Sequence, residues 1–209
     1  MKTQSLPKYI ADKYLEMKKP IRKRLKEFKQ VSESDYFYEL CFCLCTPQSK
    51  AHNAFQVVEK LKAKDFLNKP FNPVNILRNP DHYIRFHNQK AQRLLKARDY
   101  FPAVKAILDS KSTPYEKRNE ITKIVSGFGL KETSHFMRNI GYRGLAILDR
   151  HILKHLVYCN LYKEIPKVSS KKQYFDVERK FLKFADKVGI SIDELDILFW
   201  SYETGEILK

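Results

Sequence analysis

Lys131 and Asp149 are the two residues whose types and placement could do chemistry. Lys131 directly follows a glycine-containing turn, and Asp149 stands at the predicted start of a later helix. A lysine amine that is partly neutral is a nucleophile able to form a Schiff base. A carboxylate can stabilise the positive charge that develops on a sugar during bond cleavage. Together the two residues predict amine chemistry on DNA.

Each of these residues also has an interpretation that needs no chemistry. The start of a helix prefers acidic side chains, so the ammonium group of Lys131 is expected to gain nothing there, which favours the neutral amine. An exposed surface lysine would explain the same position. Asp149 is well placed to cap the helix that begins near His151. Capping and catalysis are compatible, because a cap holds the carboxylate in a fixed orientation.

The turn before Lys131 contains Gly127 and Gly129, which are predicted to bind a DNA phosphate. Glycines tolerate positive φ and leave the approach to the backbone open. Backbone N–H groups at the start of the next helix can then bind a phosphate oxygen, which recognises DNA without reading its sequence. An ordinary turn between two helices remains the alternative.

The composition favours a polyanionic partner. The 209 residues include 40 lysines and arginines against 24 acidic residues, giving a net charge of +16. Such a field favours nucleic acid or an anionic membrane surface, with a solvated basic surface as the alternative. No apolar run approaches the roughly 20 residues of a membrane-spanning helix. No secretory segment follows Met1, so a cytoplasmic protein is expected.

Four cysteines are present, and three of them alternate in an apolar stretch: Cys41, Cys43 and Cys45, with Cys159 far along the chain. Buried thiols are expected, because metal or iron–sulfur ligation needs another spacing and a fourth ligand nearby.

The elements that position these residues are predicted to be helices throughout. Apolar residues recur at helical spacing, as in the stripe Phe37, Leu40, Cys41 and Leu44, and no long stretch alternates like a strand. Pro20 is predicted to divide two N-terminal helices. Residues 82–100 are predicted to form a long basic helix, and Pro102 and Pro114 are expected at helix starts. Ser191 and Glu194 predict a capping box for the last helix.

The motif around Lys131 resembles that of a known superfamily. Ser126-Gly-Phe-Gly-Leu-Lys131, followed by Leu148-Asp149-Arg-His-Ile152, is similar to the helix-hairpin-helix DNA glycosylases and their Lys…Asp pair. Lys131-Glu-Thr-Ser-His-Phe-Met-Arg-Asn-Ile-Gly141 and the ending Phe199-Trp200…Thr204-Gly205…Leu208-Lys209 resemble the type-2 8-oxoguanine DNA glycosylase/lyases of archaea and some bacteria. The resemblance extends over essentially the whole chain.

The resemblance implies an all-α, two-lobed fold. One lobe comprises residues 33–143 and ends in the hairpin, whereas residues 1–32 and 144–209 form the other, with DNA held between them. It implies that Lys131 attacks the anomeric carbon and expels 8-oxoguanine, that Asp149 assists, and that the Schiff base then allows β-elimination, which nicks the strand. The implied substrate is double-stranded DNA containing 8-oxoguanine, and the protein is expected to act as a monomer at the nucleoid.

The resemblance also implies further site residues. Gln48 matches the glutamine that endonuclease III-like relatives insert into the duplex when the lesion leaves it. Trp200 and Phe86 are expected to flank the extruded base, and Lys209 to distinguish 8-oxoguanine from guanine. From the residues alone, Gln48 is a solvent-exposed loop residue, Trp200 a core residue and Lys209 a frayed end.

Expectations for bound groups come from the superfamily as well. A monovalent cation is implied at the hairpin, where the backbone carbonyls of Lys123, Val125 and Phe128 would bind it. An iron–sulfur cluster is not expected, because the C-terminal region contains only Cys159.

Two other functions stay open. A glycosylase/lyase for oxidised pyrimidines would share the Lys131 chemistry, although Lys209 and the missing cluster argue against it. A non-catalytic helix-hairpin-helix DNA-binding protein would bind DNA in a salt-sensitive way without forming a covalent adduct.

Overall fold

The computed structural model describes residues 5–208, and these residues form helices and connecting turns without a β-strand. The α-helices are α1 Lys8–Lys29, α2 Tyr36–Cys45, α3 Ala51–Ala63, α4 Val74–Leu77, α5 His87–Asp109, α6 Pro114–Ile124, α7 Leu130–Asn139, α8 Arg150–Tyr158, α9 Lys171–Val188 and α10 Ile192–Thr204. Short 3-10 helices cover Glu33–Asp35 and Pro80–His82. The predicted all-α class is confirmed.

The described chain divides into two compact units. One unit is Val31–Ile140, and the other combines the described parts of Met1–Gln30 and Gly141–Lys209. The boundaries implied by the resemblance, residues 33 and 143, lie slightly further along the chain.

Helix α2 is the centre of the unit Val31–Ile140. It packs against α3, α5 and α7, and its residues are buried on every side from Phe37 to Cys45 rather than along the predicted stripe. The Phe37 ring lies 5.3 Å from that of Phe101 and 6.3 Å from that of Phe66, measured between ring centroids. This core fixes the C-terminal end of α2, from which the turn carrying Gln48 continues.

Helix α10 is the centre of the other unit, where it packs against α1, α8 and α9. The imidazole of His155 stacks on Phe199 with ring centroids 4.6 Å apart, and Phe199 in turn stacks on Phe181. Ser191 caps α10 in a reciprocal capping box with Glu194, as predicted. Helix α10 therefore holds α8, and with it Asp149, against the core of this unit.

The predicted effects of two prolines are wrong. Pro20 lies inside the continuous helix α1, and Pro102 lies inside α5 instead of starting a helix. A proline costs an intrahelical hydrogen bond, but buried side chains occur on both sides of each proline, including Tyr14 and Ile21 in α1. The free energy gained by burying these side chains offsets the loss of the hydrogen bond at the proline. Helix α5 also begins later than predicted, at His87.

The cysteines are buried, as predicted. Cys41, Cys43, Cys45 and Cys159 are all free and inaccessible to solvent. Burial raises the pKa of Cys45 and that of Cys159 to about 12, so both thiols stay protonated at neutral pH. Among residues 5–208, no group of His, Cys, Asp and Glu side chains is arranged to hold a metal ion. None of the helices described is long and apolar enough to cross a membrane.

Candidate active site

The turn between α6 and α7 forms a compact hairpin. The Phe128 N–H donates to the Val125 carbonyl at 3.1 Å and closes the turn. Gly127 has a φ of +92°, and a Cβ atom there would lie 2.7 Å from Cδ of Arg93. Gly129 has a φ of −103°, which any residue adopts. Of the two glycines, only Gly127 is required by backbone conformation.

Glu132 connects the hairpin to Lys131. Its Oε2 accepts a hydrogen bond from the Gly129 N–H at 3.1 Å, and its Oε1 lies 2.9 Å from Nζ of Lys131. The side chain of Lys131 is about one-third exposed, whereas that of Glu132 is 17% exposed. The expectation that Lys131 gains nothing at this helix start is therefore wrong, since the amine has a carboxylate partner. The spacing of Gly129 and Glu132, from N-cap to N3, was the sequence signal for this contact.

This contact bears on the predicted phosphate site. Gly127 and Gly129 are both exposed, as phosphate binding requires. In the structure, however, the Gly129 N–H already donates to the carboxylate of Glu132. A phosphate must displace that carboxylate or use other N–H groups of the turn.

Asp149 is the N-cap of α8, as predicted. Its Oδ1 accepts hydrogen bonds from the N–H groups of His151 at 2.8 Å and Ile152 at 2.9 Å. Oδ2 takes no part in the cap, and the residue is only partly buried. The carboxylate is therefore held in one orientation by one of its oxygens.

The segment that leads to Asp149 is fixed by helix α9. The hydroxyl of Tyr174 donates to the Ala146 carbonyl at 2.5 Å, and the Ala146 N–H donates to Oε1 of Glu178 at 2.8 Å. Both partners come from a helix distant in sequence, so no motif around Asp149 pointed to them.

Helix α8 is also tied to α10, which carries Trp200. Glu203 on α10 lies 3.0 Å from Nζ of Lys154 and 3.1 Å from Nε2 of His155. Burial lowers the pKa of His155. Trp200 itself is half-buried, unlike its neighbour Phe199, so it is not the core residue that its apolar ring alone suggested.

Gln48 and Phe86 are both exposed, and both have left-handed backbones, with φ of 57° and 60°. The Phe86 side chain is 48% exposed, and the guanidinium of Arg85 lies 5.3 Å from its ring centroid. Lys209 lies outside the described residues. The preceding carbonyl, that of Leu208, accepts two hydrogen bonds from the guanidinium of Arg24, at 2.8 and 2.5 Å.

The predicted residues thus form two groups. Lys131, the hairpin, Gln48 and Phe86 belong to the unit Val31–Ile140, whereas Asp149 and Trp200 belong to the other.

The chain is similar to proteins of known activity over nearly its whole length. It matches the family model Ogg-HhH, 8-oxoguanine DNA glycosylase, over residues 21–190. It is 38% identical to the 8-oxoguanine DNA glycosylase/AP lyase of Fusobacterium nucleatum, with 94% of each chain covered.

Two crystal structures share the fold. That of Methanocaldococcus jannaschii 8-oxoguanine glycosylase/lyase, in complex with 15mer DNA containing 8-oxoguanine, has a TM-score of 0.84 and 32% identity, covering 95% of this chain and 98% of that one. That of the 8-oxoguanine DNA glycosylase of Thermotoga maritima has a TM-score of 0.85 and 31% identity, covering 97% of each chain. The implied helix-hairpin-helix glycosylase fold is confirmed, and the chain belongs to the 8-oxoguanine DNA glycosylase family.

Proposed function

We propose that this protein excises 8-oxoguanine from double-stranded DNA with the amine of Lys131 and then nicks the abasic strand by β-elimination. The observation that carries the proposal is the placement of Lys131, directly after the hairpin at the first turn of α7, in a chain that belongs to this family. The names of the relatives, 8-oxoguanine DNA glycosylase/AP lyase, support both steps.

The proposed reaction begins with a neutral Lys131 amine that attacks C1′ of the damaged nucleotide. The bond from C1′ to the base breaks, and the base leaves with its electron pair and takes up a proton. Nζ loses a proton, the C1′–O4′ bond breaks with O4′ taking up a proton, and a Schiff base forms between C1′ and Nζ. Loss of a proton from C2′ then breaks the C3′–O bond and expels the 3′ phosphate. Since Lys131 pairs with Glu132 in the structure, its ammonium must give up a proton before the attack.

Asp149 is proposed to stabilise the positive charge on the sugar and to assist proton transfer. Its cap hydrogen bonds support this role, because they fix the carboxylate through Oδ1 and leave Oδ2 outside the cap. A preoriented carboxylate stabilises a developing cation without having to reorganise.

The lesion is proposed to be recognised outside the duplex. Gln48 would fill the space that the base leaves, while Phe86 and Trp200 would contact the extruded base. The exposure of Gln48 and Phe86 and the partial exposure of Trp200 support these roles. Lys209 is proposed to recognise 8-oxoguanine. The hydrogen bonds that Arg24 donates to the carbonyl of Leu208 hold the residue before Lys209, which supports this role.

A monovalent cation is proposed to bind the carbonyls of Lys123, Val125 and Phe128. Lys123 lies in the last turn of α6, where carbonyls have no intrahelical donor, so its oxygen suits such an ion. The Val125 carbonyl also accepts the Phe128 N–H, which leaves it one further lone pair. The cation would stabilise the hairpin and would take no part in bond cleavage. We further infer a monomer that acts on nucleoid DNA in the cytoplasm, without an iron–sulfur cluster.

Borohydride trapping tests the nucleophile. Borohydride added during reaction with 8-oxoguanine duplex should reduce the Schiff base to a stable protein–DNA adduct. Lys131→Gln should abolish this adduct, whereas Lys96→Gln, at an exposed lysine of α5 in the same unit, serves as the control for lost charge. An undiminished adduct with Lys131→Gln would show that another amine reacts.

A panel of duplexes with different single lesions separates the alternatives. The proposal predicts fastest excision of 8-oxoguanine, whereas a pyrimidine-specific enzyme would prefer oxidised pyrimidines. A protein that only binds DNA would give no product from any lesion.

A further inference from the structure

The turn between α2 and α3 holds Gln48 in an unusual conformation. Its φ of 57° lies in the left-handed region, which residues other than glycine rarely adopt. Such a conformation persists only where surrounding contacts impose it. The contacts that hold this turn therefore decide where Gln48 is presented.

Lys90 on α5 supplies those contacts. Its Nζ donates to the carbonyls of Cys45 at 2.7 Å and Pro47 at 2.6 Å, and to Oγ of Ser49 at 3.2 Å. The Pro47 carbonyl belongs to the peptide bond that enters Gln48, and Ser49 follows Gln48 directly. All three donors of the ammonium are thus satisfied by the turn.

Burying the ammonium group of Lys90 costs free energy, which suggests that its contacts serve a specific role. Its residue is only 2% exposed, although lysine is almost never buried unless it is paired. Burial lowers the pKa of Lys90 to about 8, and the charges of Arg93 and Lys131 act in the same direction. An apolar side chain of similar size would fill the same space without desolvating a charge. An apolar side chain could not make the three hydrogen bonds that hold the turn.

The same lysine connects this turn to the segment of Phe86. Its backbone N–H donates to the Phe86 carbonyl at 3.0 Å, which is the first hydrogen bond of α5 and does not depend on the lysine side chain. Oγ of Ser49, which accepts from Lys90, also accepts from the Arg85 N–H at 3.0 Å. Lys90 and Ser49 therefore join two exposed residues, Gln48 and Phe86, that both have left-handed backbones.

We propose that Lys90 is a positioning residue that fixes the Gln48 turn relative to the Phe86 segment, so that filling the duplex and holding the extruded base occur together. The inference rests on the proposed function, which assigns Gln48 and Phe86 to those two tasks. In this proposal Lys90, which is buried and whose amine is bonded to the turn, acts neither on the DNA nor on the reacting atoms directly. Its effect on catalysis is transmitted through the turn.

The test compares excision of 8-oxoguanine paired with cytosine and 8-oxoguanine opposite a tetrahydrofuran site. In the second duplex no base pair holds the lesion in the stack, so its extrusion depends less on Gln48 filling the space that it leaves. Single-turnover rates are measured for Lys90→Met, Gln48→Ala and the double variant, with Lys96→Met as an exposed control on the same helix. Because a misplacement of about 1 Å can cost about 100-fold, Lys90→Met should slow the paired substrate at least about tenfold and the unpaired one much less. Ser49→Ala, a milder change, should have a smaller effect of the same kind.

The double variant decides whether Lys90 acts through Gln48. If it does, Lys90→Met combined with Gln48→Ala should be no slower than the worse single variant. The inference would be overturned if the rate losses of the two single variants multiplied in the double variant, or if Lys90→Met slowed excision of paired and unpaired lesions equally. If wild type formed no trapped adduct, the proposed function itself would fail. A trapped adduct that maps to Lys90 in Lys131→Gln would give Lys90 a catalytic role instead.

Discussion

Glu132 serves two groups with its two oxygens. One oxygen caps the Gly129 N–H, and the other pairs with the amine of Lys131. The two contacts are separable by mutation because glutamine keeps an acceptor for the cap but carries no charge. The effect of Glu132 on the turn can therefore be measured separately from its effect on Lys131.

Glu132→Gln and Glu132→Ala should differ in stability and agree in reactivity. Loss of a cap contact costs about 1 kcal/mol, so the alanine variant should be destabilised by about that amount and the glutamine variant by less than half of it. Both variants lose the ion pair that favours the ammonium form of Lys131, so both should form the trapped adduct a few-fold faster; the effect is modest because partly exposed ion pairs contribute little. Urea unfolding and borohydride trapping measure the two effects. Equal losses of stability would argue against the cap.

The buried charge of Lys90 predicts a dependence of stability on pH. Its pKa is about 8 in the folded chain against 10.5 ordinarily, so between these values the unfolded chain binds the proton that the folded chain has lost. The free energy of unfolding should therefore rise with pH in this window, by up to about 3 kcal/mol from this group. Below pH 8 the cost of the charge is fully present.

Comparison with Lys90→Met isolates this contribution. Tyr100 and Cys45, whose pKa values are raised to about 12 by burial, respond to alkaline pH in both proteins. The contribution of Tyr100 cancels in the difference between the two curves, whereas that of Cys45 changes with the substitution, because the charge of Lys90 lowers the pKa of this thiol. Urea unfolding from pH 7.5 to 10 should show wild type gaining stability relative to the variant. Parallel curves would mean that Lys90 keeps its ordinary pKa.

At the scale of elements, capping residues predicted where helices begin more reliably than prolines predicted where helices are interrupted. Asp149 and Ser191 cap α8 and α10 as expected, because capping depends on residues close together in sequence. The predictions for Pro20 and Pro102 are wrong because side chains buried elsewhere in the same helix offset the hydrogen bond that each proline loses. A proline is read correctly only when the packing on both sides of it is known.

Alanine substitutions at the two glycines of the hairpin between α6 and α7 should destabilise the protein by very different amounts. Gly127→Ala should destabilise the protein by about 2 kcal/mol or more, because alanine at φ +92° is strained and its Cβ would meet Arg93. Gly129→Ala should cost less than about 1 kcal/mol, since its φ of −103° suits alanine. The nearest atom to the added Cβ would be Oε2 of Glu132, at 3.2 Å, on a side chain that can shift. Thermal unfolding compares the two. A larger loss with Gly129→Ala would contradict the role assigned to Gly127.

At the scale of the molecule, the site residues fall into those with a local signal and those without. Lys131 and Asp149 belong to a short motif, so the sequence alone predicts a role for each of them. Glu178, Glu203 and Lys90 contact residues far away in the chain, and only the fold shows those contacts. Their types were visible in the sequence, but their partners were not.

The net charge of +16 makes a final prediction about DNA binding. Contacts between lysine or arginine and phosphate release counterions, so affinity should fall steeply and linearly on a log–log plot as salt rises. Lesion-containing and undamaged duplexes should show nearly the same slope, because the phosphate backbone is common to both. Lys131→Gln should change the slope by no more than about one, since one side chain neutralises at most one phosphate. Fluorescence anisotropy over a salt series measures these slopes, whereas single-turnover excision at saturating protein should hardly change. A salt-insensitive affinity for undamaged DNA would show that the basic surface is not what holds the duplex.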